Sequence, residues 1–139
     1  QTLVVFFIAA SMGMIGFYST LIYVVLGVLG LPLFANGGGI GYIFSPTFGF
    51  LYGMVISAFM IAYILKSELN TSLIKLSATI LAGAFVIFLC GISHLSFFVG
   101  IEQAINLGLL PFLYSEFLKI VLAIAIIFGL IQRVNQKNS

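Results

Sequence analysis

A carboxylate and an ammonium stand three residues apart in the last long apolar stretch of this chain: Glu116 and Lys119, in GLLPFLYSEFLKIVLAIAIIFGLI. Residues at i and i+3 share one face of a helix, so both charges can point into the same cavity. A charge deep in a membrane helix costs roughly 2.5–3.5 kcal/mol, so such residues usually serve a site and have a partner. The pair predicts a site that holds a neutral, polar small molecule between a carboxylate and an ammonium.

The pair has an alternative interpretation as a structural ion pair that only ties helices together. Buried pairs of this kind are often neutral for stability, so the binding interpretation is the stronger one. An enzyme is the least favoured class, because the sequence offers neither a nucleophile–base pair nor a metal-ligand cluster. His94 has no second His or Cys at metal-ligand spacing and is predicted to be a satisfied interfacial histidine. No metal or other cofactor is expected.

Composition decides the class of protein. The chain is 63% hydrophobic and only 6% charged, whereas soluble domains carry about 25% charged residues. We therefore predict an all-α integral membrane protein with a single transmembrane domain over residues 1–139. The net charge of +2 is too small to indicate a nucleic-acid partner, and the single cysteine, Cys90, cannot form an internal disulfide.

The apolar runs of the sequence predict five helical segments. A helix crossing a hydrocarbon core of ~30 Å needs about 20 mostly apolar residues. The segments are Thr2 to about Met12, about Met14 to Gly30, Pro46 to about Leu65, about Ser72 to Leu95, and about Leu110 to Ile131. The first is too short to span, and the chain opens on Gln1 rather than methionine. We expect that an N-terminal helix is missing.

The distribution of cations predicts an orientation. Lys66 and Lys75 flank the connection between the third and fourth segments, and Arg133 and Lys137 follow the fifth. Alternating passes put both regions on one side of the membrane, which the positive-inside rule makes cytoplasmic, with the C-terminus. Glu116 and Lys119 then lie near the opposite, outer face, under a short amphipathic stretch that contains Glu102.

The outer connection GLPLFANGGGIGYIFSPTFGF is the second informative feature. Three consecutive glycines, Gly37 to Gly39, cannot form a stable helix, but they allow positive φ and a close approach of backbone to a ligand. Asn36 adds an amide that can donate and accept. Phe34, Tyr42 and Phe44 could supply an apolar cover. An ordinary flexible loop is the alternative, with about equal weight.

Two stretches resemble a known family. YVVLGVLGLPLFANGGGIGYIFSPTFGFLYG and GLLPFLYSEFLKIVLA are similar to signatures of the BioY family, the biotin-specific S-components of energy-coupling-factor (ECF) importers. The resemblance covers essentially all 139 residues. It implies an S-component-like bundle of six helices, of which five are present here. It also implies a bacterial cell membrane, a transmembrane coupling protein and two cytoplasmic ATPases, in keeping with the lack of a Walker A motif in the sequence.

The sequence departs from the family pattern at Glu116 and within residues 45–50. The family usually has Asp where this chain has Glu116, which sets the carboxylate about one methylene further out. The usual Gly-Pro-Thr-Gly-Gly-Tyr reads Ser45-Pro46-Thr47-Phe48-Gly49-Phe50 here, with two glycines and a tyrosine hydroxyl lost. These differences bear on fine specificity and leave the resemblance intact.

The chemistry of biotin fits the same residues. Its ureido ring presents one carbonyl acceptor and two N–H donors, and its bicyclic body is otherwise apolar. Glu116 can accept from the N–H groups, Lys119 can donate to the carbonyl, and Asn36 can do either. An alternative assigns Lys119 to the valerate carboxylate, and both remain open. The remaining candidate contacts are backbone and aromatic groups, namely Phe34, Gly37, Gly38, Tyr42, Tyr52 and Tyr114.

Two other functions remain open at this stage. One is an S-component for another vitamin, such as thiamine or riboflavin, and the other is a structural membrane protein without a ligand. Gln1 could reach the site if the family alignment holds, although a frayed terminal residue is the preferred interpretation.

Overall fold

The computed structural model describes residues 1–66 and 71–139, and helices account for most of them. Three stretches are long and apolar enough to cross a membrane: Phe48–Leu65, Leu73–Val99 and Ile101–Asn138. The prediction of an all-α membrane protein is therefore confirmed. In chain order the helices are α1 (Thr2–Met12), α2 (Met14–Val28), α3 (Phe48–Leu65), α4 (Leu73–Val99), α5 (Ile101–Gly108) and α6 (Leu113–Asn138), with 3₁₀ turns at Ile40–Phe44 and Leu110–Phe112.

Helices α1 and α2 form a tight antiparallel hairpin. The chain reverses at Gly13, whose φ of 60° and ψ of −131° strain any residue with a side chain. A methyl group at Gly16 would overlap the carbonyl of Ile8, so the two helices touch through their backbones. With a rise of 1.5 Å per residue, α1 and α2 are only about 16 and 22 Å long. The turn at Gly13 thus makes two short apolar helices out of one long apolar run.

The centre of the fold is the contact between α3 and α4. A methyl group at Gly49 would overlap the Cβ atom of His94 and lie 2.8 Å from the carbonyl oxygen of Cys90. Gly53, one turn later, would bring a methyl group to 3.0 Å from Cβ of Cys90. Gly49 and Gly53 form a GxxxG pair, and the small residues of this pair allow the two helices to pack closely.

Buried side chains run down the middle of the bundle, and apolar side chains also cover its outside. The largest fully buried side chains come from α1, α3, α4 and α6: Phe6, Ile61, Leu65, Leu76, Ile80, Ile87 and Ile127. Ile74, Phe97 and Phe117 are among many large apolar residues that are exposed. A soluble monomer rarely exposes so much apolar surface, whereas a helix surrounded by lipid does so by default.

The two ends of the bundle differ in charge. Helix α3 ends at Leu65 and α4 starts at Leu73, so the connection between them lies at one end of the bundle. Helix α4 then returns to the other end, where α5 and the start of α6 follow, and α6 runs back. This order brings four of the five cations to the first end: Lys66, Lys75, Arg133 and Lys137.

The packing of α3 against α4 gives a test with a matched control. We expect Gly49→Ala to destabilise the protein by about 1–3 kcal/mol, because the added methyl group forces two backbones apart. Gly129→Ala in α6 should be neutral or slightly stabilising, since a methyl group there meets no atom within 4 Å in the described part of the chain. Thermal melting in detergent measures both; equal melting temperatures for the two variants would contradict this account.

Candidate ligand-binding site

A cavity of about 490 Å³ lies at the end of the bundle opposite the four cations. This volume is within the range of small-molecule sites, roughly 300–1,000 Å³. Its walls come from the start of α1, the connection after α2, the start of α3, the end of α4, α5, and the start of α6. The lining residues are Gln1, Thr2, Phe34, Ala35, Asn36, Tyr42, Thr47, Phe50, Leu51, Met54, Ile87, Phe88, Leu95, Leu107, Gly108, Phe112, Glu116 and Lys119.

Glu116 is the buried charge of this cavity, with only 5% of its surface exposed. It lies in the first turn of α6, where the positive end of the helix dipole favours a carboxylate. Its Oε2 atom accepts a hydrogen bond from Oγ1 of Thr2 at 3.2 Å and lies 3.6 Å from Nζ of Lys119. Its Oε1 atom is buried and has no hydrogen-bond partner within residues 1–66 and 71–139.

The free Oε1 atom carries an energetic cost that a ligand can remove. A buried acceptor without a donor costs about 1–3 kcal/mol, and more when the group is charged. Glu116 lines the cavity, although Oε1 itself has almost no accessible surface. A donor in the cavity would bond to Oε1 once neighbouring side chains shift, and that bond would remove the cost.

Lys119 supplies the complementary donor. Its side chain is 36% exposed and lines the cavity. An ammonium has three N–H donors and no acceptor, and the contact with Glu116 at 3.6 Å uses at most one of them. The pair thus offers a free acceptor and free donors within a few ångströms of each other, as its i, i+3 spacing predicts.

Asn36 reaches the cavity from a tight turn. The backbone amide and carbonyl of Phe34 bond to those of Gly37 at 2.8 and 3.0 Å, which leaves Ala35 and Asn36 at the tip. Gly37 adopts a φ of 107°, which permits the turn to close at this position. The turn brings the amide of Asn36 to the same cavity as Glu116 and Lys119.

The glycines of this connection pack against protein backbone. The amide of Gly39 donates to the carbonyl of Gly27 at 2.8 Å, and a methyl group at Gly38 would lie 2.7 Å from that carbonyl. The close approach that we expected toward a ligand is here an approach to the end of α2. Gly37 and Gly38 are not among the cavity residues that the described chain provides.

Aromatic rings close the side of the cavity next to this turn. The buried ring of Phe34 covers Gly27 and lies 4.7 Å from the ring of Tyr42 and 5.8 Å from that of Tyr23, between centroids. Phe34 and Tyr42 both line the cavity. Both rings are therefore placed where an apolar cover is expected, and their role toward a ligand stays a prediction.

Gln1 joins the cavity wall to the connection through a chain of hydrogen bonds. Its Nε2 donates to the hydroxyl of Tyr23 at 2.7 Å, and that hydroxyl donates to the carbonyl of Leu33 at 2.9 Å. Gln1 also lines the cavity, so in this structure its side chain is held in place and is not frayed. These two hydrogen bonds link the turn that carries Asn36 to the start of α1.

Two predicted aromatic contacts lie outside this cavity. The hydroxyl of Tyr52 donates to the carbonyl of Cys90 at 3.3 Å, in the contact between α3 and α4. Tyr114 is 77% exposed, on the outer side of α6. His94 lies beside Tyr52, and its Nε2 atom is 3.0 Å from the carbonyl oxygen of Ser45, as expected of a satisfied histidine.

The residues that sequence reasoning missed are mostly apolar. Phe50, Leu51 and Met54 share one face of α3, and Ile87, Phe88 and Leu95 do so at the end of α4. In a chain this apolar, such residues carry no signal that separates a cavity wall from the core. Thr2 was also missed, although a polar residue at the edge of an apolar run is a detectable signal.

The described part of the chain contains no group of three or more His, Cys, Asp and Glu side chains that could hold a metal ion. The cavity therefore offers hydrogen bonds, one ion pair and apolar walls to an organic molecule.

Comparisons with known proteins identify relatives of this chain. Biotin transporter BioY of Thermotoga maritima is 39% identical over 128 residues, which cover 88% of this chain and 75% of that protein. Probable biotin transporter BioY of Pyrococcus horikoshii is 37% identical over 131 residues, 90% of this chain and 76% of that protein. Biotin transporter BioY2 of Lactococcus lactis is 29% identical over 125 residues, 88% of this chain and 68% of that protein.

No solved structure matches the chain. The family model described as BioY family matches residues 1–136, and with that match over nearly the whole length, the chain belongs to the BioY family.

Proposed function

We propose that this protein binds biotin and serves as the membrane-embedded binding component for biotin uptake. The observation that carries the proposal is Glu116, a buried carboxylate that lines the cavity and whose Oε1 atom has no hydrogen-bond partner within residues 1–66 and 71–139. A ureido N–H group of biotin is a donor of the required kind. Relatives of this chain carry the name biotin transporter, which supports the same ligand.

In the proposed complex the ureido ring lies between Glu116, Lys119 and Asn36. Glu116 accepts from an N–H group, Lys119 donates to the ring carbonyl, and Asn36 bonds to whichever edge faces the turn. The short distance of 3.6 Å between Nζ of Lys119 and Oε2 of Glu116 supports the choice of one ring as the partner of both. The apolar bicycle and the valerate methylenes then contact the walls from α3 and α4, such as Phe50, Met54 and Ile87.

The proposed direction of transport is inward. Four cations lie at the end opposite the cavity, and the positive-inside rule puts that end, with the C-terminus, in the cytoplasm. The cavity then faces the outside, where an importer collects its substrate. The resemblance to S-components implies that a transmembrane coupling protein and two cytoplasmic ATPases supply the free energy, while this chain has a binding role and is not an enzyme.

Removing either charge of the pair should weaken biotin binding. We expect Glu116→Gln and Lys119→Met each to raise the dissociation constant about tenfold or more, because one charge-assisted hydrogen bond contributes roughly 1.5–3 kcal/mol. Isothermal titration calorimetry on the detergent-solubilised full-length protein measures the change. Glu102→Gln is the matched control, because Glu102 is exposed on α5 and should leave the affinity unchanged.

Competition by other vitamins separates the open alternatives. If thiamine or riboflavin binds and biotin is inert, the protein is a binding component for another vitamin. If none binds, and Leu at both charged positions preserves the melting temperature, the pair has a structural role only.

The two assignments of Lys119 differ in what they predict for biotin methyl ester. If Lys119 bonds to the ureido carbonyl, esterification should cost the same factor in affinity for the wild-type protein and for Lys119→Met. The physical reason is that the ester removes the valerate charge and leaves the ureido ring intact. Titration of both ligands into both proteins completes the comparison; an ester penalty that vanishes in Lys119→Met would assign Lys119 to the valerate instead.

A further inference from the structure

One hydrogen bond connects the start of α1 with the start of α6 at the cavity. The hydroxyl of Thr2, at the start of α1, donates to Oε2 of Glu116, in the first turn of α6, at 3.2 Å. The two residues are 114 positions apart, and both are buried, Thr2 with 9% of its surface exposed. Both also line the cavity.

Other threonines of the fold use their hydroxyl groups locally. Thr20 donates to the carbonyl of Gly16 at 3.0 Å, and Thr79 donates to that of Lys75 at 2.7 Å, in each case four residues earlier in the same helix. Mid-helix threonines commonly bond in this way. Thr2 is the first residue of α1, a position from which this local bond is not made, and its hydroxyl bonds to another helix and to the buried carboxylate of Glu116.

The contact limits how the carboxylate of Glu116 can rotate. The last torsion of a glutamate side chain is broad, so a carboxylate without anchors has no fixed plane. Lys119 alone is a weak anchor, because its ammonium is at the end of a flexible four-carbon stem and is partly exposed. Thr2 adds a short, buried anchor on a different helix. With Oε2 held from both sides, the other oxygen stays free to meet a ligand.

We propose that Thr2 is a positioning residue for ligand selection: it holds Oε2 of the Glu116 carboxylate, so that Oε1 stays unpaired and is the atom that bonds to an N–H donor when a ligand enters the cavity. This inference rests on the proposed function and identifies the N–H group as the part of the ligand that the site recognises. An acceptor that is already oriented loses less entropy when the ligand binds. A site built in this way also rejects analogues that lack the matching N–H group, because its acceptor is then left buried and unpaired.

The inference predicts a loss of both affinity and selectivity in Thr2→Val, which keeps the side-chain shape and removes the donor. We expect biotin to bind about fivefold to tenfold more weakly, the range of one ordinary hydrogen bond. We also expect a smaller preference for biotin over an analogue with a methyl group on a ureido nitrogen. Thr2→Ser retains a hydroxyl and should restore most of both properties. Thr79→Val, which removes a hydroxyl outside the cavity, is the control.

A double-mutant cycle with Glu116→Asp tests whether Thr2 acts through the carboxylate. Shortening the side chain by one methylene withdraws the carboxylate from hydrogen-bond distance of Thr2, so Thr2→Val should then cost less than about twofold. Equal losses in both backgrounds, with unchanged selectivity, would mean that Thr2 only holds α1 against α6.

The proposed function and the role of Thr2 fail in different ways. If the wild-type protein does not bind biotin, the proposed function and this inference are both overturned. If the wild type binds biotin and Thr2→Val binds it with the same affinity and selectivity, only the role of Thr2 is overturned.

Discussion

An ionised carboxylate that is almost shielded from water must have its charge and its lone pairs satisfied, and the cavity is arranged around this requirement. The start of α6 favours the charge of Glu116, Lys119 balances it, and Thr2 occupies one oxygen. One acceptor is left over. Segments from both halves of the chain converge on this point, so the position of α1 relative to α6 is part of the chemistry of the site.

The cavity has two kinds of wall, and each depends on a different interaction. The side formed by α3 and α4 is apolar and is supported by close helix contacts at Gly49 and Gly53, where little side chain separates the backbones. The opposite side is polar and depends on individual hydrogen bonds, such as those of Gln1 with Tyr23 and of Tyr23 with Leu33. We infer that the packing of α3 against α4 determines the shape of the cavity, and that the hydrogen bonds of the polar side determine which ligand the cavity selects.

Sequence reasoning worked best where a residue type was rare. Glu116, Lys119 and Asn36 stand out in a chain with 6% charged residues, and all three line one cavity. Helix starts followed from apolar runs and from glycine and proline, whereas α4 and α6 continue to Val99 and Asn138, past the expected ends at Leu95 and Ile131. The apolar wall could not be predicted, because Leu51 or Met54 looks like any core residue until the helices are packed. Gly38 packs against backbone atoms, and Thr2 bonds to a residue that is distant in sequence. Composition and spacing carry no information about either contact.

The ion pair of Glu116 and Lys119 also has a consequence for energetics across the bilayer. The two formal charges cancel within 3.6 Å, so the empty site has almost no net charge on which the transmembrane voltage can act. Moving one elementary charge through 100 mV changes the free energy by about 2.3 kcal/mol, whereas a compensated pair moves as a dipole and feels little of this field. The pair itself should therefore contribute little electrical work if the site moves through the field, and at this site the charge of a bound ligand would then dominate.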